Sequence, residues 1–265
     1  MERAVYALET EVEQSHWWFV GRRRLLRKLI TRLALPLDAQ ILDVGSGTGT
    51  NLRLLKQMGF TQVKGLDFSD DAIQFCTQKG LGEVLKGDAC ALPFPDNTFD
   101  VVFATDIIEH IDDDDQAIAE IHRVLKSQGI VIIMVPAFQI LWGLQDRISH
   151  HKRRYRRRQI LLKIQAAGFS IVESTFFNYL LFFPIWAARK LIDGLQLNVK
   201  NENELTPGLT NTILTWIFAL DVTLAPWLNL PFGVSILAVG QKTLLSPQQK
   251  WGQRQRQEAL LTSRH

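Results

Sequence analysis

Apolar residues recur along the chain in two rhythms. Short apolar-rich runs at residues 41–44, 62–66, 101–104 and 130–135, with a weaker one at Glu83–Lys86, read as strands, the strongest of them buried on both faces. Between them the apolar positions fall every three or four residues, the period of a helix with one inward face. Leu52, Leu55 and Met58 follow the first run, and Ala72, Ile73 and Cys76 follow the second. Ile118, Ile121, Val124 and Leu125 mark a helix over 114–126, with Gly129 just beyond it and Pro136 stopping the fifth run. Leu25, Leu26, Leu29, Ile30 and Leu33 predict an earlier helix ending at Pro36. Ile160, Leu161 and Ile164 predict a later one closed by Gly168, before a sixth strand at 169–175. Strand and helix in alternation predict an open α/β sheet, whose ligands sit at the carboxyl ends of its strands.

The pattern breaks after the sixth strand. Roughly 55 residues separate it from the next strand-like run at 234–241, far more than an ordinary connection needs. This stretch holds Tyr179, Leu180, Leu181, Phe182, Phe183, Pro184, Ile185 and Trp186, then Arg189 and Lys190, a polar bridge at 198–204, and a Leu- and Trp-rich run at 213–231. Pro184 and Asp221 interrupt the apolar runs, so neither reaches the ~20 residues of a membrane span. Two readings stand: a helical cap on the domain, or a monotopic patch dipping into a lipid surface through its Trp and Phe residues, flanked by Arg and Lys. The organisation is therefore an N-terminal helical flap at 1–36, a core at 37–178, an apolar insertion at 179–233, a last core strand at 234–245 and a Gln/Arg-rich, disordered tail at 246–265. In the flap, His16, Trp17, Trp18 and Phe19 precede Arg22, Arg23 and Arg24. They serve as an aromatic staple on the core, or as a cover on the ligand site with an Arg for a carboxylate.

Charge changes the picture only locally. The formal net charge is +3, but acids crowd residues 106–115 and seven Lys/Arg fall within 147–158. Cys76 and Cys90 form no CxxC pair and fit a reducing compartment. The first residues lack the basic start and apolar centre of a signal peptide. The expectation is a cytoplasmic protein, peripheral on the inner membrane face if the insertion is a lipid patch.

Candidate chemistry gathers at the predicted strand ends. After Ile41, Leu42, Asp43 and Val44 come Gly45, Gly47 and Gly49, a loop where the backbone must take positive φ or approach a ligand closely. Any α/β turn can carry such a loop. Asp67 at the end of the second strand adds weight, because a carboxylate there can accept from the two hydroxyls of a ribose. Gly87, Asp88 and Ala89 follow the third strand.

The ordered set ILDVGSGTG, GLDFS, GDACALPFPDNTFDVV and EIHRVLKSQGIVIIMVP resembles the class I S-adenosylmethionine (SAM) methyltransferases, and among them the type 11 kind. The resemblance implies a Rossmann-like, seven-stranded doubly wound sheet of order 3-2-1-4-5-7-6 whose last strand, at 234–241, is antiparallel. It implies SAM as cofactor. Gly45, Gly47 and Gly49 would pass the methionine part, Asp67 would take the ribose and Phe68 would lie against the adenine. Asp88 and Ala89 would hold the adenine edge, and Asp43 would orient the loop. Arg22, Ser46, Thr48, Asn51 and Thr105 complete the expected cofactor set.

Two clusters bear on the acceptor. Asp106, Glu109 and His110 are spaced as one helical face, similar to the ExxEH set that holds a divalent metal in methyltransferases of quinone precursors or RNA ends. The alternative is a hydrogen-bonded Glu-His pair with no metal and His110 as a general base. The second cluster, Trp142, Asp146, His151, Arg154 and Tyr155, resembles the D-x4-H-x-R-R-Y stretch of a bacterial methyltransferase subgroup. It predicts a lid in which His151 and Tyr155 are catalytic and Trp142, Asp146 and Arg154 meet the substrate. Arg156, Arg157 and Arg158 read as a solvated basic face. The expected acceptor is small or lipid-linked with an anionic group, such as a polyprenyl-phosphate glycan or a quinone precursor, methylated on oxygen. Nucleic acid is not expected, for want of an RNA module and because a net charge of only +3 beside an acidic run gives no broad basic footprint. An RNA methyltransferase, a non-catalytic SAM-binding module and a nicotinamide dehydrogenase remain the alternatives.

Overall fold

Alternation along each strand sends successive side chains to opposite faces, and here both faces are covered. The computed structural model describes residues 3–195, 208–228 and 230–243. The strands are β1 (Ile41–Val44), β2 (Val63–Asp67), β3 (Glu83–Lys86), β4 (Phe99–Thr105), β5 (Leu125–Pro136), β6 (Phe169–Phe177) and β7 (Ser235–Lys242). They form one sheet of order β3-β2-β1-β4-β5-β7-β6. β1 through β5 pair in parallel, and β7 runs antiparallel to both β5 and β6. This is the expected order and direction. β5 starts earlier than expected, because Leu125 pairs with Phe99 ahead of a bulge before Val101. The helix before it is correspondingly shorter, α5 (Asp114–Val124).

Val102, Ala104, Val131 and Ile133 face α5 and α7 (Arg157–Ala166), through Ala117, Ile118, Ile121, Ile160 and Ile164. Val101, Phe103, Ile132 and Met134 face the other layer: α2 (Trp17–Leu33), α3 (Thr50–Gln57) and α9 (Gly208–Leu228). The expected flap is therefore corrected in part. The stripe Leu25, Leu26, Leu29 and Ile30 on α2 is fully buried, so α2 is a layer helix of the core. The start of α2 still reaches the carboxyl edge, as does α1 (Arg3–Val12), which packs on α4 (Asp70–Gln78). Local caps match the sequence: the Ala72 N–H donates to the Ser69 hydroxyl, and the Gln116 N–H to Asp113.

The insertion supplies α8 (Phe182–Gly194) and α9. α9 is welded to the fold at three points. The Asn211 side chain accepts from the Trp17 N–H and donates to the Ser15 carbonyl. Buried Asp221 accepts the N–H groups of Asn178, Tyr179 and Leu180 just after β6. Phe218, fully buried, lies on Gly21 of α2, where a Cβ would stand 2.1 Å from its ring. Among the described residues no helix is long and apolar enough to cross a membrane. The expected polar bridge at 198–204 and tail at 246–265 lie outside the described residues.

The Gly21 contact has a measurable consequence. Alanine is the better helix former, yet at Gly21 it should destabilise the chain by about 1–3 kcal/mol through overpacking against Phe218. Urea unfolding should show the loss, and adding Phe218→Leu to Gly21→Ala should recover part of it.

Candidate active site

The carboxyl ends of the parallel strands open on a cavity of about 1040 Å³. Its first half is the loop after β1. Gly45 and Gly47 have φ of 72° and 52°, and at Gly47 an added Cβ would meet nothing within 4 Å, so its backbone lies bare to the cavity. The Gly47 N–H donates to Asp67 Oδ2 at 2.8 Å and the Ser69 N–H to Oδ1 at 2.9 Å. These bonds fix the Asp67 carboxylate, and burial, outweighing them, pushes its pKa upward. Phe68 beside it is 75% exposed on the rim. Asp88 and Ala89 line the same side.

Beneath the loop, Asn51 Nδ2 donates to Asp43 Oδ1 at 2.9 Å and to Thr105 Oγ1 at 2.8 Å. Burial pushes Asp43 up to about 7, against the Asn51 bond. Asp43 does not line the cavity; its carboxylate sits beneath the loop on Asn51. Arg22 reaches in from α2, donating to Thr105 Oγ1 at 2.6 Å and pairing through Nε with Asp106 Oδ2 at 3.1 Å. Ser46 and Thr48 also line the cavity, while Gly49 does not: its α-carbon packs under Leu81. SAM fits this cradle. Bare backbone at Gly47, a carboxylate with free lone pairs at Asp67, an exposed flat ring at Phe68 and a guanidinium at Arg22 answer its methionine, ribose, adenine and carboxylate in turn.

The second half is built around Asp146, at the start of α6 (Leu144–Ile148). This fully buried carboxylate accepts from Gly143 N–H at 2.8 Å, His151 Nδ1 at 2.8 Å and Arg154 Nε and Nη2 at 2.8 and 3.0 Å. Arg189 of α8 approaches it at 3.5 Å. Against the cost of burial, the His151 bond and the Arg154 charge hold its pKa below the usual carboxylate range. Ionised Asp146 makes Nδ1 of His151 the donor and leaves Nε2 turned to the cavity. Nε2 stands 3.9 Å from Glu109 Oε1, and the His110 ring meets His151 edge-on at 4.6 Å between centroids. Burial and the neighbouring His151 push His110 down to about 3, while burial and Asp106 hold Glu109 well above the usual carboxylate range.

Several expectations change here. Asp106, Glu109 and His110 do not share a helical face. Asp106 takes φ 56° ahead of a single 3₁₀ turn, Ile108–His110, and turns to Arg22, so His151 stands where the third ligand was expected. Tyr155 is not at the cavity: it is fully buried and donates to Asp114 Oδ2 at 2.7 Å, a core tie between β5 and α5. Trp142 and Asp146 do not line the cavity either; Asp146 reaches it only through its bond with His151. Arg154 does line it, with its guanidinium committed to Asp146 and the Ala137 carbonyl.

Other lining residues were not among the site residues expected from the sequence. Tyr6 and Glu9 come from α1, and burial pushes Glu9 up to about 7. Buried Glu13 accepts from Thr48 Oγ1 at 2.5 Å and pairs with Arg53 and Lys79, tying the N-terminal helices to the glycine loop. Leu181, Pro184, Ile185, Ile192 and Leu214 bring an apolar wall from the insertion. Only the four-residue spacing of Glu9 and Glu13 hinted at a shared face, and an exposed helix shows the same spacing.

This sheet order with a reversed β7, and a glycine cradle facing an acid at the end of β2, define a class I SAM-dependent methyltransferase. Residues 42–133 match the methyltransferase domain of the type 11 family. The chain is 27% identical over 235 residues to the ubiquinone/menaquinone biosynthesis C-methyltransferase UbiE of Blochmanniella pennsylvanica, covering 84% of this chain and 81% of that protein. It is 33% identical over 134 residues to the demethylmenaquinone methyltransferase of Bacillus licheniformis, covering 48% of this chain and 58% of that one. In fold it is similar to a methyltransferase solved in complex with the Haloferax volcanii Trm112 methyltransferase activator (TM-score 0.61, 20% identity, 92% of this chain and 96% of that). It is also similar to Haemonchus contortus phosphoethanolamine N-methyltransferase 2 in complex with SAM (TM-score 0.53, 22% identity, 83% and 52%). The dehydrogenase alternative falls with these matches.

Two measurements check the site. Asp67→Ala should weaken SAM binding by about 1.5–3 kcal/mol in calorimetry, the loss of a charge-assisted contact. His110 should also make stability depend on pH. Its folded pKa of about 3 lies below the ordinary 6.5, so its cost is absent above pH 6.5, grows as pH falls and is complete at about 3. From pH 7 to 5, His110→Gln should lose about 2 kcal/mol less than the parent in urea unfolding.

Proposed function

We propose that this enzyme methylates an oxygen of a small amphiphilic acceptor, of the quinone-precursor or lipid-linked kind. The observation that carries the reading is the Asp146–His151 pair, whose free Nε2 faces a cavity walled on the other side by apolar residues of α8 and α9. When bound, SAM supplies a methyl group already activated on its sulfonium. The chain must hold donor and acceptor in line and take the acceptor's proton. Gly47, Asp67 and Arg22 would hold the donor. Nε2 of His151 would take the proton from the acceptor hydroxyl, while Asp146 keeps the ring in place and steadies the imidazolium that forms. The wall of Leu181, Pro184, Ile185, Ile192 and Leu214 would bind the acceptor's apolar part and exclude water.

One observation favours a second outcome: the two relatives named above act in quinone biosynthesis, one of them as a C-methyltransferase. Ionising a ring hydroxyl also enriches the neighbouring ring carbon, so carbon methylation would start from the same proton transfer. RNA is the weaker acceptor. Much of the positive charge at 147–158 is spent inside the protein, Arg154 on Asp146, Arg157 on the Ser174 carbonyl, and Lys152 and Arg153 on Asp112 and Asp114.

The same two helices carry a second apolar face. Leu209, Ile213, Trp216 and Leu220 lie along one exposed side of α9, and Phe183, Trp186 and Leu191 are exposed on α8. Lys190 is exposed among them, and Arg24 of α2 shares a shallow groove with Trp216. Large apolar side chains beside cations fit the surface of an anionic bilayer, from which a lipid-linked acceptor would come.

His151→Asn should lower turnover by about 10²–10⁴-fold with SAM affinity unchanged. Equal loss of both would point to a structural role, and mass spectrometry of the product with demethylated quinols separates oxygen from carbon transfer. In flotation with vesicles rich in anionic lipid, the parent should rise with the vesicles and Trp186→Ser/Trp216→Ser should stay behind. A parent that never floats would leave α8 and α9 as a cap alone.

A further inference from the structure

We propose that Glu109, His110 and His151 form a binding site for one divalent transition-metal cation on the acceptor side of the cavity. Among the described residues these three bring one ligand atom each within 4.8 Å of one another. Glu109 is fully buried, yet neither of its carboxylate oxygens has a hydrogen-bond partner. A buried carboxylate without hydrogen-bond partners is costly, and the nearby guanidinium groups act on it only through their charge at a distance, since Arg22 is paired with Asp106 and Arg154 with Asp146. Glu109 is thus the acid of this cluster left without a hydrogen-bonded partner.

One of the two imidazoles is already held as a ligand is held. His151 gives one nitrogen to Asp146, which leaves Nε2 free, the carboxylate–histidine arrangement that orients metal ligands. The His110 ring meets the His151 ring edge-on at 4.6 Å between centroids, which brings a second imidazole into the cluster. Two nitrogens and one carboxylate oxygen suit a borderline ion such as Zn²⁺, Fe²⁺ or Co²⁺ better than Mg²⁺ or Ca²⁺. The remaining coordination positions would face the cavity, where an acceptor's oxygens could enter. The set is not the Asp106, Glu109 and His110 spacing, since Asp106 is turned away to Arg22.

This inference rests on the reading above only in where the acceptor lies. A cation on His151 Nε2 and a proton on it exclude one another, so the cation would take over the acceptor's oxygen from the imidazole. The test is titration of the chelator-treated full chain with Co²⁺, followed by visible absorption, with SAM affinity measured on the same samples. One equivalent should bind saturably and develop ligand-field bands. Glu109→Gln and His151→Ala should bind at least about 100-fold more weakly, and Asp146→Asn about 10–100-fold more weakly, all with SAM affinity kept. No saturable Co²⁺ binding, or binding that survives in both ligand variants, would overturn the site. It would leave Glu109 a protonated acid that needs no ion. Methyl transfer by the chelator-treated enzyme is scored separately: its absence with Co²⁺ binding intact would sink His151 as the base and spare the cation site.

Discussion

A carboxylate taken out of water must be matched by donors or cations, and the carboxyl edge of this sheet is organised by that constraint. Parallel strands β1, β2 and β4 deliver Asp43, Asp67 and Asp106 to one edge, and the following loops add Glu109 and Asp146. Each finds a different answer. Asn51 braces Asp43, backbone N–H groups hold Asp67, Arg22 pairs with Asp106, and His151 with Arg154 surrounds Asp146. The partners come from α2, α3 and the segment after β5, so matching these acids also pins those elements around the cavity. Glu109 is the exception, and for that reason the most informative acid of the set.

The two halves of the site differ in how they are held. The donor half rests on backbone: glycines with positive φ and N–H groups aimed at Asp67, an arrangement that needs little from distant side chains. The acceptor half rests on side chains drawn from separate elements. Asp146 sits at the start of a five-residue helix, its arginine and histidine follow that helix, and Arg189 comes from the insertion. Fixing the Asp146 carboxylate from several directions fixes the point on which the His151 ring is held, and a restricted ring is what a group handling a proton or a cation must have.

The insertion serves two sides at once. Its inner residues, such as Ile185 and Leu214, wall the cavity, while Trp216, 73% exposed, and Phe183 stand outside. Burying only half of each helix leaves apolar surface that a soluble cap would not require. The Asn211, Asp221 and Phe218 contacts hold α9 firmly enough that this outer face is a defined surface.

The sequence by itself determined the sheet, its order through the family resemblance, and the glycine loop and strand-end acid that face each other at its carboxyl edge. Those features depend on contiguous signals, an apolar run, a glycine loop and an acid at a strand end, which act within a few residues of one another. Helical periodicity also located α2, α5 and α7, but not what covers them, so a layer helix read as a flap. Only the tertiary structure decided the acceptor half. A spacing that put Asp106 on the face of His110 assumed a helix, and one residue with positive φ followed by a 3₁₀ turn sent it to Arg22 instead. Tyr155 shared a motif with His151 yet faces the opposite way, because the chain pairs beside β5 and buries the ring against Asp114. The contacts of Glu13 with Thr48 and Arg189 with Asp146 join residues far apart in the chain. No local pattern encodes such pairs; the packing of whole elements brings them together.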